Sequence, residues 1–183
     1  MQISINVQEI ITKTGNKFGF EKYAYIMQTF PTIDVSVDRY FQKKFNGFYR
    51  VRRNIYWQNV YYTLLERCKT TPMSFEDVLY TLFKQTGRIE ASFSSKLLHT
   101  VNSDMPIWDK YVLEKFGKKV TGKTKEERLQ NTVRIYKEIT DWYTTFLATP
   151  EAQTHIRQLN AFIPNYLWVS PTKKIDFLLW QMR

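Results

Sequence analysis

The sequence predicts an all-α fold, a single-domain helical bundle spanning residues 1–183, and three observations point to it. Apolar residues recur at three- and four-residue intervals through most of the chain, the spacing that lines one side of a helix. No segment alternates strongly enough to read as a strand ladder. Apolar residues make up 43% of the chain and aromatics 16%, enough to build a core in one domain of this size.

The first fifty residues read as three helices, Val7–Ile11, Glu21–Thr29 and Val35–Lys44. Trp57, Val60, Tyr61, Leu64, Leu65 and Cys68 then form one stripe of a helix over Asn54–Lys69, which Thr70-Thr71-Pro72 ends. Ser74 with Asp77 three residues on is a variant of the capping box, opening a helix that Gly87 closes. Phe93, Leu97 and Val101 mark the next helix, which stops before Asn102-Ser103-Asp104-Met105-Pro106. Asp109 caps a short helix carrying Val112, Leu113 and Phe116, with Gly117 after it. Lys125–Leu147 is the longest helix, with Leu129, Val133, Tyr136, Ile139, Trp142, Tyr143 and Phe146 as its core stripe. Pro150 begins another that runs to Phe162, and a last helix starts near Thr172, where Asp176 supports its first turn. Leu167–Val169 is a candidate minor strand.

The longest strictly apolar run, Phe177–Trp180, is far short of the roughly 20 residues of a bilayer span, so no membrane association is expected. Met1–Asn6 has neither a basic region nor an apolar run of leader type. Cys68 is the only cysteine, which precludes an internal disulfide and fits the cytoplasm; on the apolar stripe of its helix it reads as a buried, inert thiol. Walker A, dinucleotide-binding and nucleophile-elbow patterns are absent, and with His99 and His155 the only histidines neither a metal site nor a bound cofactor is expected.

Charge gives the chain its clearest bias. Lys and Arg total 27 against 17 Asp and Glu, a net charge of +10, which favours a polyanionic partner: nucleic acid first, an anionic membrane surface or acidic protein second. The densest positive segment, 43–53, carries Lys43, Lys44, Arg50, Arg52 and Arg53 with no acidic residue, interleaved with Phe45, Phe48 and Tyr49. Guanidinium groups pair with phosphates in a fork and rings stack on unpaired bases; the alternative is that these aromatics anchor the core and the charges solvate the outside. A second basic stretch, Lys115–Arg128, contains Lys118 and Lys119 and reads as a mobile loop leading into a helix.

At about 100° per residue, the helix around Leu97 places Phe93, Leu97 and Val101 on one side and Ser92, Ser95, Lys96 and His99 on the other. Asp109 follows Lys96 across a proline-containing turn, at a helix start whose dipole favours an ionised carboxylate. Helix, glycine turn, helix with Lys, then proline followed closely by Asp: this order over residues 75–117 resembles the helix-hairpin-helix DNA glycosylases, with Gly87 standing alone where the family carries two glycines.

The resemblance implies a helix-hairpin-helix-like core and base excision from DNA, and a monomer is expected. By position, Lys96 resembles the family's nucleophile and Asp109 its supporting carboxylate. The implied chemistry flips a nucleotide out of the duplex, and Lys96 attacks the anomeric carbon to form a Schiff base while Asp109 stabilises the positive charge growing on the sugar. Trp108, His99, Ser92 and Ser95 would then contact the flipped base, and Lys43, Lys44, Arg50, Arg52, Arg53, Arg88, Lys118 and Lys119 the DNA backbone. Beside these stand plainer roles: Asp109 as a helix cap, Lys96 as a solvated surface residue, His99 as a hydrogen-bonded boundary residue, and Trp108, Trp142, Trp168 and Trp180 as core or boundary aromatics. The rival function is a non-catalytic nucleic-acid-binding or protein-interaction module on the same scaffold.

Overall fold

In a computed structural model that describes residues 4–15 and 19–182, the chain is helical throughout, and no strand occurs among the described residues. Ten α-helices are described: α1 (Val7–Thr14), α2 (Phe20–Thr29), α3 (Arg39–Tyr49), α4 (Ile55–Arg67), α5 (Phe75–Thr86), α6 (Ala91–Val101), α7 (Lys110–Lys115), α8 (Lys125–Leu147), α9 (Pro150–Phe162) and α10 (Pro171–Gln181). They gather into two compact units, one of residues 4–15 with 103–182, the other of residues 19–102. Among the described residues no helix is long and apolar enough to cross a membrane.

Local signals set most of the helix ends. The Ser74 hydroxyl accepts from the Asp77 N–H while the Asp77 carboxylate accepts from Ser74 N–H, so each satisfies an amide the helix leaves unbonded. Gly87, at φ +70°, closes α5 in the left-handed region. A second such box, Thr124 with Glu127, starts α8, and Ser170 caps α10, which therefore begins at Pro171 rather than at Thr172. Helix α3 begins at Arg39, later than the expected Val35. Asp34 accepts from both the N–H and hydroxyl of Ser36, holding a turn, and Asp38 accepts from Phe41 N–H to make the cap. Leu167–Val169 is not a strand: Pro164 opens a short 3₁₀ turn, and Val169 N–H donates to the Tyr166 carbonyl.

In the unit of residues 19–102, aromatic rings from α3, α4 and α6 make the core. Trp57 stacks on Tyr61 with centroids 4.9 Å apart, Phe93 meets Trp57 edge-on at 4.9 Å, and Phe45 lies against Tyr49, Tyr61 and Tyr62. Two buried phenols bond outward: Tyr61 to the Phe93 carbonyl and Tyr62 to Asn46 Oδ1. Burial pushes the Tyr61 phenol well above its usual pKa, so it stays neutral. Cys68 is buried beside Met73, and burial raises its thiol to about 11, which keeps it unreactive.

The other unit packs around α10, which touches α1, α7, α8 and α9. Contact on every side leaves Thr172 to Leu179 buried, charged residues included. Asp176 therefore does more than support a helix start: its Oδ2 lies 2.6 Å from Lys173 Nζ in a buried ion pair. Lys174 donates to the Leu167 carbonyl, and burial lowers its pKa.

Candidate nucleic-acid interface

The basic segment 43–53 runs from the last two turns of α3 into the link to α4, and its residues divide by face. Phe45 and Tyr49 turn inward and Phe48 is half-buried, so these aromatics are core anchors. Lys43, Lys44, Arg50 and Arg52 are exposed.

Arg50 has φ +55° and ψ +45°, and it is the only non-glycine among the described residues with positive φ. Its amide donates to the Asn46 carbonyl, as does that of Val51, so the residue occupies the helix-ending position that normally falls to glycine. A left-handed arginine costs on the order of 1 kcal/mol. The chain accepts this strain and in return carries a guanidinium at the corner, with Val51 buried behind it and Arg52 exposed beyond it.

The start of α6 meets this corner. Glu90, 6% exposed, takes a two-pronged bond from Arg53, Nε to Oε1 at 2.9 Å and Nη2 to Oε2 at 3.1 Å, and Arg88 Nε lies 3.6 Å from Oε1. The Arg53 guanidinium and the Lys96 ammonium share the Phe93 ring, at 5.3 and 5.1 Å from its centroid. Lys96 Nζ is also 5.6 Å from the Tyr49 ring and 3.5 Å from the Tyr49 carbonyl, directly before Arg50. Arg53, Arg88 and Lys96 are thus brought together through Glu90 and Phe93, with Lys96 also at the Tyr49 carbonyl, and the exposed Arg50 and Arg52 flank them in sequence.

The face of α6 read as polar is not a solvent face. Ser95 and His99 are fully buried and Ser92 is half-buried, whereas Val101, expected in the core, is 38% exposed. His99 is a core residue rather than a boundary one, with Nε2 2.9 Å from the Tyr23 hydroxyl. The hydroxyls of Ser95 and Thr100 bond back to the carbonyls of Ser92 and Lys96, which satisfies them without water.

Lys96 belongs to the unit of residues 19–102 and Asp109 to the other. Asp109 caps α7, its carboxylate accepting from Tyr111 N–H at 2.8 Å. Trp108 is buried, while Trp168, expected in the core or at its boundary, is 47% exposed. In the second basic stretch Lys118 and Lys119 are exposed, and Lys118 pairs with Glu138 at 2.6 Å, which lowers the Glu138 carboxyl pKa. Gly122 holds this stretch against α8: at φ +143° a side chain there would meet the Arg128 backbone N at 2.8 Å. Among the described residues no group of three or more His, Cys, Asp or Glu could hold a metal ion.

Two neighbours of these cations were missed in the sequence: Glu90, and Tyr40, whose ring centroid lies 5.0 Å from Lys44 Nζ. Glu90 is legible as the one acidic residue between Gly87 and Ser103, set among cations. Tyr40 is legible as the residue three and four positions ahead of Lys43 and Lys44 on one helix face.

No family model, no curated protein and no solved structure matches this chain.

Proposed function

We propose that this protein binds DNA through the cationic corner formed by the end of α3 and the start of α6. One observation carries the reading: segments 39–53 and 87–103 hold eight basic residues and one acidic residue, and the packing draws Arg53, Arg88 and Lys96 to that corner. Such an imbalance leaves positive potential that phosphate oxygens neutralise, with release of the counterions condensed on DNA.

Fluorescence anisotropy on a labelled duplex tests it. Affinity is expected to fall linearly in log–log form with salt, by a slope of about −0.9 per phosphate neutralised, and Arg50→Gly or Arg52→Ala each to flatten that slope by about 1. Arg50→Gly should also be more stable than Arg50→Ala by about 1 kcal/mol, since glycine tolerates the left-handed backbone. Binding that ignores salt, or survives these substitutions unchanged, refutes the reading.

Base removal by Lys96 is a narrower reading, favoured by the placement of its half-buried side chain beside the Phe93 and Tyr49 rings. The ring faces and the Tyr49 carbonyl attract the ammonium form, so attack on a sugar requires that the amine lose its proton as substrate binds. Borohydride trapping on an abasic duplex should capture a covalent adduct that Lys96→Arg abolishes. No adduct with the wild-type protein leaves DNA binding without base removal.

A further inference from the structure

The outward face of α3 extends the cationic surface toward the helix start. Tyr40, Lys43, Lys44 and Gly47 recur at three- and four-residue intervals and are all exposed, while Phe41, Gln42 and Phe45 turn inward. The Tyr40 ring is 60% exposed yet held in place: Tyr25 meets it edge-on with centroids 6.0 Å apart, and Lys44 Nζ lies 5.0 Å from its centroid. A Cβ placed on Gly47 would touch nothing within 4 Å, so the surface one turn further on is open. Between Asp38, which caps the helix, and Glu66 the sequence carries no acidic residue.

We infer that this face takes an unpaired strand of DNA, with a base stacked on Tyr40 and neighbouring phosphates paired with Lys43 and Lys44. A duplex closes the faces of its bases against one another, so an exposed ring among cations gains little from it; an unpaired base presents a free face, and stacking on it tolerates any sequence. The inference rests on the DNA-binding reading above and names the form of DNA that this surface selects. Charge complementarity decides the occupant, since an acidic partner lacking flat rings would use the lysines and leave Tyr40 idle.

The test is anisotropy of the full chain with oligothymidylate and with a duplex of equal length, in one buffer, for the wild type, Tyr40→Leu and Tyr40→Phe. The wild type should bind the single strand more tightly. Tyr40→Leu should lose roughly tenfold on the single strand and less than about twofold on the duplex, and Tyr40→Phe should keep wild-type affinity for both. Equal losses on the two DNAs, no loss on either, or a loss in Tyr40→Phe as large as in Tyr40→Leu overturns the inference and leaves the cationic corner standing. Absence of salt-sensitive binding to either DNA overturns both.

Discussion

Asp176→Ala is expected to destabilise the protein by about 3–5 kcal/mol, because it removes the carboxylate bonded to the buried Lys173 ammonium. Lys173 is 3% exposed and Asp176 5%, their charged atoms are 2.6 Å apart, and the ammonium also lies 4.5 Å from the centroid of the Phe177 ring. The cost comes from leaving a buried ion without this carboxylate to offset its desolvation, so the double variant Lys173→Met with Asp176→Leu should recover most of it. Urea denaturation of the single and double variants measures both quantities. If the double variant is as unstable as Asp176→Ala, packing at these positions, and not the unpaired charge, sets the loss.

Glu90→Gln should move stability and DNA affinity in opposite directions. The carboxylate anchors Arg53 in a two-pronged bond and lies near Arg88, so its neutral isostere should lower stability by about 1–2 kcal/mol, a figure reduced for the 29% exposure of the Arg53 side chain. The same change removes the one negative charge among the cations, so duplex affinity should rise by about threefold at low salt and the gain should fade as salt screens it. A variant that loses stability and binds DNA no more tightly would place the DNA contact elsewhere on the molecule.

What the sequence made legible was local. Ser74 with Asp77, Asp109 and Gly87 each act on amides or carbonyls within four residues, and each does so in the structure. The stripe of α4 was readable for the same reason: of its six residues Trp57, Tyr61, Leu64, Leu65 and Cys68 are buried and Val60 is half-buried. The helical wheel failed on α6 because that helix is covered on more than one side. Once Tyr23 can bond His99 and hydroxyls can bond their own helix carbonyls, polar residues no longer mark the solvent face. On α10 the sequence offered Asp176 only as support for a helix start, whereas α1, α7, α8 and α9 enclose that turn and bury Lys173, Lys174 and Asp176 together. In the candidate interface the cations were visible as a run, but the division into buried Phe45 and Tyr49 and exposed Tyr40, Lys43 and Lys44 depends on where α4 and α6 lie.

The central claim, that the end of α3 and the start of α6 form the DNA surface, is tested most directly by mapping backbone amide shifts by NMR during titration with DNA. The largest changes should fall in residues 40–53 and 88–96, with residues 115–128 little affected. Changes confined to 115–128, or none at all while DNA is in excess, would contradict it.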